Sequence, residues 1–104
     1  MAINSISDDY LAKIRFSVRR NQSDKTDSEL KDIIEECRAD MIRVGVSEEV
    51  AISEENALVL GCQRAFARWK FGISGDDAAR NREDYLYAVD NLRKSVYQGA
   101  VSGE

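Results

Sequence analysis

Histidine is missing from this chain. With it go the usual general base, the commonest metal ligand and the side chain that titrates near neutral pH. Proline is missing too, and there are only 6 glycines. Collagen-like, proline-rich and low-complexity classes are thereby excluded. The two cysteines, Cys37 and Cys62, are too few for a disulfide scaffold or a structural zinc site. No apolar run approaches the roughly 18–20 residues that a membrane span needs. Residues Met1 to Ser5 show neither the basic region nor the apolar stretch of a secretion signal, so a cytosolic chain with reduced thiols is expected.

What is present suits one soluble domain. The chain has 104 residues, 43% of them apolar and 33% charged. That is enough for one core and not for two. The net charge is −4 and unevenly spread. Residues 1–26 hold five basic groups against three acidic, 27–56 three against ten, and 57–104 seven against six. An acidic balance makes a poor non-specific nucleic-acid binder. Separated signs suit a molecule that touches a copy of itself through opposite faces.

The apolar periodicity is helical throughout and predicts an all-α fold, a compact bundle of four main helices. A first helix is expected from about Ser7 to Arg19, with Ser7 as N-cap, Asp8 and Asp9 in its first turn, and a stripe of Leu11, Ile14 and Val18. Phe16 lies off that stripe. A second helix, capped by Thr26 or Asp27, carries Leu30, Ile33, Ile34, Cys37, Met41 and Val44 on one side and stops at Gly45. Its charged residues, Arg38 among them, fill the other faces. Residues 46–53 form a connector in which Ser47 can cap a short turn. A third helix, from about Glu54 to Phe71 with Ser53 as cap, is apolar on more than one face, as a central helix is. A fourth, from about Asp76 to Tyr97, has the stripe Tyr85, Leu86, Val89, Leu92 and Val96. Residues 98–104 lack a core period and are expected as a short flexible tail. The whole chain is one domain with its core at about 7–97.

Candidate chemistry is sparse. Cys37 and Cys62 sit on apolar stripes, where a thiol is a small buried hydrophobe rather than a nucleophile. No histidine is available to activate either one. Asp76-Asp77 at a helix start fits the helix dipole better than a metal. Glu48-Glu49, Glu54-Glu55 and Glu83-Asp84 lack the spacing of a calcium loop. None of the patterns G-x-x-x-x-G-K-[ST], G-x-G-x-x-G or G-x-S-x-G occurs. No enzyme activity, metal or cofactor is expected. The basic run Lys13, Arg15, Arg19, Arg20 has three readings: a solvated face, a contact with an acidic protein surface, or a contact with DNA phosphates. On a helix, Arg15 and Arg19 would project together, one turn apart. Phe66, Trp69, Phe71, Tyr85 and Tyr87 are expected mostly in the core, and Trp69, near a helix end, is either core or an interface anchor.

Four stretches together resemble a known family. They are Tyr10-Leu-Ala-Lys-Ile-Arg-Phe-Ser-Val-Arg19, the capped helix from Thr26 to Gly45, the helix ending Ala67-Arg-Trp-Lys-Phe-Gly72, and a closing helix with Tyr85 and Leu92. In order, spacing and length they are similar, over residues 8–97, to the small all-helical head–tail connectors of tailed bacteriophages and prophages. These are also called head-completion or DNA-packaging adaptor proteins. The resemblance implies a structural virion protein. Copies would form a ring, twelvefold like the portal, beneath the portal protein after packaging. The ring would extend the DNA channel, pass DNA without reading its sequence, and offer a surface to a stopper or tail-completion protein. It implies a place in the virion at the head–tail interface, in the host cytoplasm before assembly, and no membrane partner. It also implies that residues 93–104 reach toward the portal. The candidate subunit or portal interface is therefore Arg15, Arg19, Arg20, Glu48, Glu49, Trp69, Arg93, Lys94 and Tyr97. The alternative is a small helical DNA-binding or packaging-accessory regulator with Arg15, Arg19 and Arg20 on phosphates. The acidic balance, and the lack of a short helix leading by a tight turn into a basic recognition helix, stand against it.

Overall fold

A computed structural model describes residues 3–19, 22–71 and 75–102, with side chains in the last stretch over 78–95. The described elements are helices: α1 (Asp8–Ser17), α2 (Asp24–Arg43), α3 (Glu48–Ala51), α4 (Ala57–Lys70) and α5 (Gly75–Ser102). Four are long and α3 is a single turn. The architecture is all-α, with no strand among the described residues.

The helix starts follow side-chain capping. Ser7, Ser23 and Ser47 each accept a hydrogen bond from the backbone N–H three residues on, at Tyr10, Thr26 and Val50. The second helix therefore starts at Asp24, before the cap expected at Thr26 or Asp27. The fourth element, α4, starts later than expected. Asn56 is its cap, with Oδ1 accepting from Leu58 and Val59. Ser53 instead accepts from the N–H of Glu55 and Asn56, closing a separate turn.

The ends of α1 and α2 are opposite cases of one stop. After α2, Gly45 has φ 110°. Its N–H donates to Ile42 O, and the Val46 N–H donates to Met41 O at 2.9 Å. This is the paired closure that satisfies the last carbonyls of a helix, and it favours glycine. After α1 the same left-handed place is held by Arg19, with φ 55°.

Packing centres on α4, which contacts α5, α2 and α1. One part of the core joins Cys37, Met41, Val46, Ala51, Val59, Cys62, Phe66, Tyr85, Val89 and Leu92. A second joins Tyr10, Leu11, Ile14 and Val18 of the α1 region to Leu30, Ile34 and Ala67. Ile33 packs against both. A helix that serves two cores needs apolar side chains on more than one face, as the sequence of α4 shows. Cys37 and Cys62 are free and buried.

At roughly 1.5 Å per residue the 28 residues of α5 span about 42 Å, close to the 46 Å long axis of the molecule. Helix therefore continues through Ser102, where a tail was expected from residue 98. The last two residues, 103–104, lie outside the described residues.

Candidate functional site: a groove between α2, α4 and α5

Three helices enclose an open groove of about 350 Å³. Its floor is aromatic. Phe66 meets Trp69 and Tyr85 edge-on, with ring centroids 5.4 and 4.9 Å apart. Leu86, 43% exposed, forms one lip. The rim is charged: Glu36, Asp40 and Arg43 from α2, Lys70 from α4, and Arg82 from α5.

Pairing decides what those charges can do. The Lys70 ammonium lies 4.2 Å from the Trp69 ring centroid and 3.4 Å from Glu36 Oε1. Arg43 pairs with Asp40 at 2.7 Å. Asp40 Oδ2 also accepts the Tyr85 hydroxyl at 2.6 Å. Partial burial opposes ionisation of Asp40, but the Tyr85 and Arg43 hydrogen bonds outweigh it and hold the carboxyl below its ordinary value. Among the described residues Arg82 forms no ion pair, so the rim keeps one unmatched cation. The arrangement is suited to holding an apolar side chain next to a carboxylate.

The structure does not gather the sequence-derived candidates at one place. Trp69 is half-buried, its ring both core contact and groove wall. Arg15 does not face outward. Its Nε is 2.9 Å from Asp27 Oδ1, and both side chains are less than one-fifth exposed, so it ties α1 to α2. Arg19 does not continue the helical face of Arg15, because α1 ends at Ser17 and Arg19 turns away with positive φ. Arg20 lies outside the described residues. Glu48 and Glu49 are exposed in the first turn of α3. Arg93 and Lys94 are exposed on α5 and share Asp90, at 3.9 and 2.9 Å. Tyr97 is on α5, and its side chain lies outside the described residues.

Two features of the molecule do not follow from reading charges as surface. The first is Arg38, assigned by sequence to a solvated face and 1% exposed in the fold. Its Nη1 donates to the carbonyls of Ile3 (2.7 Å) and Ser5 (2.9 Å), and its Nη2 reaches Ile52 O at 3.4 Å. Glu54 lies 3.7 Å away and accepts both the backbone N–H and the hydroxyl of Ser7. This network straps the N-terminal segment across the α3–α4 link. The signal was spacing: Leu30, Ile34, Arg38 and Met41 fall on one side of α2. The second is the exposure of two separate aromatic side chains: Phe16, 83% exposed on α1, and Tyr87, expected in the core but 72% exposed on α5, where it lies off the Tyr85–Val89–Leu92 side that packs inward.

No helix among the described residues is long and apolar enough to cross a membrane, and no group of three His, Cys, Asp or Glu side chains there is placed to hold a metal ion. Comparison of the chain with protein-family models, with curated proteins and with solved structures finds no match in any of the three.

Proposed function

We propose that this chain is a structural subunit of a phage head–tail connector. Copies form a ring on the portal protein, extend the DNA channel, and present a surface to the stopper or tail-completion protein. In this reading the ring follows the portal's twelvefold symmetry. DNA passes through it without sequence-specific contact. The protein resides in the host cytoplasm before assembly and in the virion afterwards. The α5 stretch from Arg93 and Lys94 onward is the arm that meets the portal.

The observation that carries the reading is the open aromatic groove between α2, α4 and α5, on a small all-α domain that also exposes Phe16 and Tyr87. Single exposed apolar side chains are ordinary. A half-buried tryptophan in a groove, beside an exposed leucine and an arginine with no ion pair among the described residues, is the composition of a contact surface. The resemblance of four sequence stretches to connectors, over residues 8–97, supports this kind of assembly. The uneven charge along the chain fits heterologous contacts between neighbours.

The test is genetic. A phage carrying a stop codon early in this chain's gene should accumulate packaged heads and free tails that do not join. Supplying the protein in trans should restore infectious particles. Joined, infectious particles without the protein would refute the reading.

A further inference from the structure

A second surface on α5 matches the groove. Glu83, Asp84 and Tyr87 are all exposed, and neither acid forms an ion pair among the described residues. Arg80, one turn earlier, is exposed and pairs with neither. The patch thus offers one aromatic side chain with two free carboxylates one turn before it. The groove offers an aromatic floor, an apolar lip at Leu86 and, at Arg82, a cation with no ion pair among the described residues. Its volume of about 350 Å³ is at the low end for small-molecule pockets, roughly 300–1,000 Å³, and it is open along one side. That suits a protruding side chain better than an enclosed ligand.

We propose that copies of this chain associate head to tail, with Tyr87 of one copy seated in the Trp69–Leu86 groove of the next and its Glu83 and Asp84 facing Arg82. The proposal deepens the connector reading and rests on it for its setting. Direction follows from helix geometry. At about 100° per residue, the Arg82–Leu86 side and the Glu83–Asp84–Tyr87 side lie roughly 130° apart around α5. A copy that uses its groove on one neighbour keeps its patch for another. With the two surfaces facing different directions, the proposed contact joins each copy to two different neighbours, so it is heterologous and propagates until it closes into a ring or continues as a filament. Opposite charges set its register and make it sensitive to salt.

Charge reversal tests it. The wild-type chain should show reversible, concentration-dependent association beyond the dimer in sedimentation, with a blue shift of Trp69 emission. Arg82→Glu, and separately Glu83→Lys with Asp84→Lys, should each remain monomeric with an unchanged helical circular-dichroism signal. An equimolar mixture of the two variants should associate again, because each then presents the charge the other lacks. A wild-type chain that stays monomeric at every concentration would overturn the proposal, as would variants that assemble like wild type or a mixture that does not recover. Binding to the portal protein separates the two claims. Portal binding by a chain whose association ignores these substitutions removes the contact and leaves the connector. Association through this contact by a chain that ignores the portal keeps the contact and removes the connector.

Discussion

The Tyr85 hydroxyl of α5 donates to Asp40 Oδ2 of α2 across 2.6 Å, at the edge of the groove. This bond links the two helices that flank α4. It also leaves Tyr85 with a carboxylate neighbour that, after burial and the adjacent Cys37, keeps its hydroxyl protonated well above the ordinary tyrosine range.

Acid should therefore weaken the fold through Asp40. Its carboxyl binds a proton less readily folded than unfolded, so the unfolded chain holds more protons in acid. The stabilisation is full above the ordinary value of 3.8 and is lost as pH falls through the lower folded value. Asp40→Asn should cost about 1 kcal/mol at pH 7 and flatten the loss of stability below about pH 4. Denaturant unfolding across pH 2–7 measures both. A variant with the same acid dependence as wild type would remove Asp40 from this role.

Arg38 should be among the least replaceable polar residues. Arg38→Leu leaves the Ile3 and Ser5 carbonyls without their donor and Glu54 without its cation, and should destabilise by about 3 kcal/mol. Arg38→Lys keeps the charge but not the planar fork, and should recover only part of the loss. Limited proteolysis gives a second reading, because release of the strap exposes residues 3–7 to cleavage before the helices unfold. Equal protection in wild type and Arg38→Leu would contradict the strap.

The two thiols should be inert in the folded chain. Burial pushes Cys62 up to about 11, and burial together with the neighbouring Cys62 raises Cys37 well above its ordinary value. At pH 8 a disulfide reagent should label neither until denaturant is added. Since the unfolded chain releases these protons first, stability should also decline as pH rises above about 9. Rapid labelling of the native protein would place a thiol at the surface.

Arg19 occupies a left-handed position that glycine takes without strain. Arg19→Gly should raise stability by up to about 1 kcal/mol, the relief at φ 55° exceeding the entropy that glycine adds to the unfolded chain. A loss of stability, read from the denaturation midpoint, would mean that the arginine side chain contributes more than its backbone costs.

Much of the scaffold was legible in the sequence because periodicity and caps are local. Leu30, Ile34, Cys37 and Met41 are buried as their spacing implies, and Ser7, Ser47 and Gly45 act where expected. What escaped was decided by tertiary contact. Leu86 shares the stripe of Tyr85 and Val89 yet is 43% exposed, because α5 packs chiefly on α4 and Leu86 falls at the rim of that contact. Arg38 sits on the buried side but reads as surface from its charge alone. The start of α4 moved from Ser53 to Asn56 because both residues have capping chemistry, and the segment before Asn56 is held by Ser53's turn and by Glu54's bonds to Ser7. The groove was not legible at all. Glu36 and Asp40 look like solvated charges until Trp69 and Arg82 are brought beside them by two other helices.

The most direct test of the proposed ring-forming role is light scattering on a sizing column, with the protein alone and then mixed with a phage portal protein. A ring-forming subunit should give higher assemblies alone at high concentration, or a stable complex that co-migrates with the portal. A monomer or dimer that ignores the portal and instead shifts duplex DNA in a salt-dependent manner would contradict it.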